Sequence, residues 1–145
     1  MQFYKFLLFV FLIRTNSQKI YNYYELALQK WCSDTFMIHG LWPQINAESY
    51  PVYCESVEYS EPTGVLLDNM EIYWKGCDNS LWEHEWEKHG SCVKSQNNIS
   101  ESIFFNITLE LFLQSKYLIR EKCDEKSDNC IVGCFDLDYD LVDCV

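Results

Sequence analysis

Residues 81–90, Leu81-Trp82-Glu83-His84-Glu85-Trp86-Glu87-Lys88-His89-Gly90, read as a helix to Lys88 or His89 with Gly90 as a left-handed C-terminal cap. Just upstream, Gly76 to Ser80 breaks the pattern, and before it Leu66, Met70 and Trp74 recur at the i, i+4, i+8 spacing of a helical face. Residues 44–62 carry Pro51, Pro62 and scattered polar side chains and read as loop. Earlier still, Leu26-Ala27-Leu28-Gln29 reads as a short buried strand. Phe36 to Trp42 reads as a second, ended by Pro43, which has no N–H to give a ladder. Downstream, a third helix is expected over Glu101 to Lys116, with Phe104, Ile107 and Phe112 among its apolar positions. With Asn98 glycosylated, Ser100 is its cap, because a substituted amide caps poorly. Cys130 to Phe135, an acidic turn and Leu141 to Cys144 suggest a hairpin. Strands at both ends with helices between them predict an α+β fold, an antiparallel central sheet packed with helices and stabilised by disulfides.

A chain of 145 residues suits one domain, and 48 % hydrophobic content with 17 % aromatics excludes general disorder. Eleven Lys+Arg stand against 22 Asp+Glu, for a net charge of −11. No basic tail or Lys/Arg stripe exists to grip a polyanion by counterion release, so only local handling of such a polymer is expected. Residues 1–17 have the layout of a secretory signal peptide: Lys5, an apolar run of eight from Phe6 to Ile13, then Thr15-Asn16-Ser17. That run is far short of the ~20 residues that span a bilayer, so no stable membrane insertion is expected. Residues 18–145 form the expected domain, secreted or lysosomal/vacuolar in destination.

Cysteine usage agrees with export. Cysteines 32, 54, 77, 92, 123, 130, 134 and 144 all follow the leader, and an even count there implies oxidised pairs. A zinc site needs paired short spacings, and Cys130-x₃-Cys134 stands alone. Two sequons, at Asn98 and Asn106, are candidate glycosylation sites.

The chain holds three histidines, His39, His84 and His89, each among aromatic residues. A single histidine in such a setting is usually structural. At about 100° per residue, however, His84, Lys88, Glu85 and His89 share an arc of roughly 140°, while Glu83 and Glu87 point elsewhere. Zinc-protease chemistry requires H-E-x-x-H, and here Lys88 stands where the second imidazole belongs. A nucleophilic Cys–His pair is poorly supported when the cysteines are tied in disulfides. The turn Asp136-Leu137-Asp138-Tyr139-Asp140 opens like an EF-hand loop but has Leu141 where that loop needs Gly, so it reads as solvated.

Imidazoles with an ordinary pKa of ~6.5 act as base when neutral and acid when protonated, which suits mildly acidic pH. A lysine adds a fixed positive charge toward a developing anion. Cleavage of RNA through its own 2′-OH needs this set and no metal. DNA, lacking that hydroxyl, is excluded by the mechanism.

The segments Phe36-Met37-Ile38-His39-Gly40-Leu41-Trp42-Pro43 and His84-Glu85-Trp86-Glu87-Lys88-His89-Gly90-Ser91-Cys92 resemble the two active-site signatures of the ribonuclease T2 family. These are secreted or vacuolar acid endoribonucleases that cut RNA through a 2′,3′-cyclic phosphate. The likeness runs from about Tyr24 to Cys92, resumes near 101–113 and returns at Cys134 to Cys144. It implies His39 as acid, His89 as base, His84 holding the phosphate, and Glu85 and Lys88 supporting the transition state. Trp42 and Gln29, with Tyr50, match positions near the first base site. It also implies a Cys54–Cys92 bridge, and Cys134–Cys144 is expected across the terminal hairpin. Cys32, Cys77, Cys123 and Cys130 stay unassigned. No cofactor is implied; the expected partner is RNA substrate, and the expected state a monomer.

Two departures bear on this. Family members usually carry a longer stretch before the final cysteine pair, whereas here Leu113 runs almost directly to Cys123, so the domain is compact or incomplete between 113 and 123. Gln44 follows Pro43 where many members have Asp or Asn, and Leu81 replaces a common Phe, so base preference does not carry over. The alternative reading is a catalytically impaired secreted protein of the same fold acting as a binding module. A purely structural disulfide-rich protein leaves the His–Glu–Lys arc unexplained.

Overall fold

The computed structural model describes residues 19–78 and 80–144; the expected signal peptide, 1–17, lies outside them. Four strands, β1 (Tyr23–Gln29), β2 (Met37–Gln44), β3 (Asn129–Phe135) and β4 (Leu141–Val142), form one antiparallel sheet in the order β2-β1-β3-β4. The helices between β2 and β3 are α1 (Gly64–Tyr73), α2 (Leu81–Glu85), α3 (Ser91–Asn97), α4 (Glu101–Ser115) and α5 (Ile119–Lys122). The α+β class read from the sequence is the class found.

Both N-terminal strands are longer than expected. β1 begins at Tyr23, and β2 runs through Pro43, which pairs with Tyr24. Proline is tolerated because β2 is the edge strand, where a missing N–H breaks no second ladder. Tyr24, Leu26 and Leu28 of β1 alternate onto one face and meet Ile38, Leu41, Val132 and Phe135 in the core. Met70, Trp74, Trp86, Phe104, Phe105 and Phe112 close the core from the helical side. Leu66, predicted on the same face as Met70 and Trp74, is only half-buried.

The β1–β2 ladder is irregular at one point. Ala27 faces Gly40 and Leu28 faces Ile38, so His39 has no partner in the register. One extra residue at a bulge bends the strand and re-aims the side chain there.

The helix read as ending at Gly90 does not end there. α2 passes through a π-helical turn, Trp86–Gly90, directly into α3, and Gly90 has an ordinary helical φ of −60°. Asn98 supplies the left-handed cap, with φ 54°. Glycine stands at 90 for space: a Cβ there would overlap the Trp86 ring. The π turn takes one more residue to come round, which draws His89 back toward the face of Glu85 and Lys88. Ser100 caps α4, its hydroxyl accepting from the Ile103 N–H. Between 115 and 123 the chain makes a 3₁₀ turn, Lys116–Leu118, and then α5.

Four disulfides join Cys32–Cys77, Cys54–Cys92, Cys123–Cys130 and Cys134–Cys144. The second ties the long loop after β2 to α3, beside the π turn, where Tyr53 N–H also donates to the Lys88 carbonyl. Asn98 and Asn106 are exposed, but the Thr108 hydroxyl of the second sequon is buried and donates to Phe104 O. In the acidic turn, the Asp136 carboxylate accepts from the Asp138 and Asp140 N–H groups. Among the described residues no helix is long and apolar enough to cross a membrane.

Candidate active site

The bulge of β2 and the π turn face each other across Gly40. A Cβ at Gly40 would overlap Glu85 Oε2 and come within 2.7 Å of Trp42 Nε1. The missing side chain is what admits the Glu85 carboxyl. There Glu85 Oε2 accepts a 2.9 Å hydrogen bond from the Trp42 indole N–H. Its other oxygen lies 3.7 Å from His39 Nε2, an approach too long for a hydrogen bond. The Trp74 indole donates to the His39 carbonyl at 2.7 Å and fixes the bulged backbone.

Trp42 stands between the two imidazoles. Its ring meets His39 edge-on at 5.1 Å between centroids and stacks on His89 at 5.4 Å. Trp31 flanks the far side of His39, 5.3 Å away and half exposed. Neither His39 Nδ1 nor His89 Nδ1 has a hydrogen-bond partner among the described residues. Lys88 is partly buried on the same side as Trp42 and His89, and His84 is exposed one residue before Glu85.

Burial, joined by repulsion from His84 and Lys88, pushes His39 down to about 4. Burial, then Lys88, His84 and His39, pushes His89 down to about 3. Burial pushes Glu85 up to about 8, against the Trp42 hydrogen bond and the pull of Lys88. The 3.7 Å contact therefore joins a neutral acid and a neutral imidazole at pH 5–7, not an ion pair. A bound phosphate anion would raise both imidazoles again, since an opposite charge favours the protonated form.

All five residues read as catalytic, His39, His84, Glu85, Lys88 and His89, fall in this one neighbourhood. Trp42 and Tyr50 line a cavity of about 210 Å³ with Glu25, Gln44, Lys88 and His89. Gln29 does not: it is buried at the far end of β1, its Oε1 unpartnered among the described residues. Sequence reasoning missed Glu25 and Trp31. Glu25 is half-buried and accepts from the Gln44 side-chain amide at 3.1 Å. An acid inside the apolar run Tyr23–Leu28 was the available signal. For Trp31, beyond the end of β1, the sequence carries none. Among the described residues no three His, Cys, Asp or Glu side chains converge to hold a metal ion.

Comparison with known proteins places the chain in a family. The chain is 43 % identical over 75 residues to ribonuclease T2 of Aspergillus oryzae, covering 43 % of this chain and 27 % of that one. It is 26 % identical over 132 residues to ribonuclease S-6 of Pyrus pyrifolia, covering 77 % and 58 %. The matched stretch spans only 24–32 % of the length of the fungal relatives. The fold is that of the Nicotiana alata gametophytic self-incompatibility associated SF11-RNase, whose crystal structure matches with a TM-score of 0.67 at 20 % identity, covering 86 % of this chain and 91 % of that one. The ribonuclease T2 family profile matches residues 6–120, both histidine segments included, and the chain belongs to that family.

Proposed function

We propose that this chain is a metal-independent endoribonuclease that cleaves single-stranded RNA by transphosphorylation, leaving 2′,3′-cyclic phosphate ends, at acidic pH. The observation that carries this is the placement of His39 and His89 on either side of Trp42, with Glu85 held against Trp42 and His39 and with Lys88 in the cavity wall beside His89.

His89 takes the 2′-OH proton and His39 protonates the departing 5′-oxygen, the roles that the likeness to the family implies. The 2′-oxygen forms a bond to phosphorus as the P–O5′ bond breaks. Lys88 offers positive charge to the phosphorane oxygens, and Glu85, neutral below about 8, can donate a hydrogen bond without repelling them. His84 holds the phosphate from the solvent side. The cavity beside Trp42 takes a base, with the Glu25–Gln44 pair and Tyr50 at its wall. Four disulfides support the secretory route. The protein acts as a monomer on RNA, without cofactor.

Purified protein incubated with a defined oligoribonucleotide and its DNA counterpart in excess EDTA tests the proposal. RNA should be cut and the first products should carry cyclic phosphate by mass, with DNA intact. Activity lost on chelation and restored by zinc or magnesium refutes the mechanism. A folded wild type that cuts nothing supports the binding-module reading instead.

A further inference from the structure

The fold assembles a basic groove that the linear sequence does not show. Lys30, at the end of β1, Lys116, just past α4, and Arg120, in α5, line one hollow of about 540 Å³ with Phe36, Asp34 and Glu125. These are three of the eleven basic residues in a chain of net charge −11. None of the three forms an ion pair among the described residues, whereas Lys94 is held 3.1 Å from Glu55. Their positions are fixed by other means. Lys30 Nζ donates to the Glu125 carbonyl and lies 4.9 Å from the centre of the Phe36 ring. Lys116 Nζ lies over Tyr73 at 5.0 Å and Phe112 at 5.8 Å. A cation held by a carbonyl or a ring keeps its charge available to a ligand; one held by a carboxylate does not.

The groove also adjoins the catalytic neighbourhood. Lys30 directly precedes Trp31, whose ring is 5.3 Å from His39, and Phe36 leads into the strand that carries His39. A strand that runs from His39 across Trp31 would be led toward Lys30. The repulsion of the distant acidic surface is screened over ~10 Å at 0.1 M salt, so the hollow's own charges, three cations against the Asp34 and Glu125 carboxylates, set the local field.

We propose that Lys30, Lys116 and Arg120 form a secondary phosphate-binding track for the RNA strand, at least one nucleotide removed from the scissile phosphate. This rests on the ribonuclease reading for its ligand, but its binding test does not need turnover. The track gives affinity for long substrates and none for a dinucleotide, and it is indifferent to base sequence because its contacts are to the backbone.

The probe is a fluorescent 12-nucleotide 2′-O-methyl RNA, which cannot be cut, titrated by anisotropy at several salt concentrations against the full disulfide-bonded protein. Lys116→Ala/Arg120→Ala should weaken binding about tenfold at low salt and lower the salt slope by about 1.4, since each single-strand phosphate contact contributes about 0.7. Arg120→Ala alone, at an exposed side chain, should lower it by about 0.7. Lys94→Ala, away from the groove, should leave the slope in place. Cleavage of a dinucleotide should stay within about twofold of wild type in all three. An unchanged slope in the double variant, no binding of the 12-mer by wild type, or equal losses on dinucleotide and 12-mer would each overturn the track. Wild type that binds the 12-mer with this slope yet cleaves no RNA keeps the track and removes the catalytic reading.

Discussion

The Trp42 indole and the His89 imidazole lie nearly parallel, 25° apart, with ring centroids 5.4 Å apart. His89 is therefore oriented by an aromatic face and not by a carboxylate on its second nitrogen, since Nδ1 has no partner among the described residues. An orienting carboxylate would stabilise the imidazolium; a stacked indole in a buried site does much less. Burial and the charges of Lys88, His84 and His39 push His89 down, and no carboxylate on Nδ1 opposes them.

Loss of either imidazole should be felt in the chemical step. His39→Ala and His89→Ala should each lower kcat by ~10²-fold or more, the scale of a missing acid or base. His84→Ala, at an exposed side chain, should act mainly through KM. Steady-state cleavage of one oligoribonucleotide by the three variants separates these outcomes, and a His39→Ala protein as fast as wild type removes His39 from the mechanism.

The pH profile of kcat/KM reports the free protein. On the proposed mechanism His89 must be deprotonated, which fails below about 3, and His39 must be protonated, which fails above about 4. The profile should be a bell that is falling by pH 5 and small at pH 7. The kcat profile should lie at higher pH, because the bound phosphate raises both imidazoles. A kcat/KM maximum at or above pH 7 contradicts the burial of the pair.

Glu85 gives an opposite signature in stability. Folding raises its pKa from 4.5 to about 8, so its contribution is complete below 4.5 and is lost as pH rises through 8. The two imidazoles, lowered by folding from 6.5, contribute above 6.5 and lose that contribution as pH falls toward 4 and 3. Glu85→Gln keeps an acceptor for the Trp42 N–H but cannot ionise. Thermal melts should show the difference in Tm, variant minus wild type, growing more positive from pH 5 to pH 9. A difference that is flat with pH would mean Glu85 titrates normally.

Gly40→Ala places a methyl where the Glu85 carboxyl sits. Either Glu85 moves or β2 does, at roughly 1–3 kcal/mol for an overpacked site. Cleavage should fall more than that stability loss accounts for, because the Trp42–Glu85 hydrogen bond is broken along with the packing. Rates compared well below the variant's Tm check this, and a Gly40→Ala protein of full activity would show that Glu85 need not occupy that position.

The α+β class was legible because strand-like runs stand at both ends of the chain with helical stretches between them, although β1 is buried almost continuously and α1 buries only Met70. The four ionisable groups around 84–89 were legible because a helix puts them on one arc whatever happens at its end. The helix end itself was misread at Gly90. A glycine after a charged run signals a cap, and only the packed Trp86 ring reveals that it serves a continuing helix. Pro43 misled for a related reason: a strand's position at the sheet edge is a tertiary fact. Glu25, Trp31 and the Lys30–Lys116–Arg120 groove join residues far apart in the chain, which no local pattern records.

The bulge at His39 bears on association as well as on chemistry. β2 is an open edge, and an unbroken edge strand is a template on which a second copy can add its own strand. An unpaired residue at 39 and a proline at 43 interrupt that template twice within eight residues. A substitution that smoothed this strand into a regular ladder would therefore risk more than a misaimed imidazole. It would give the protein a sticky border and a route to fibrous self-assembly.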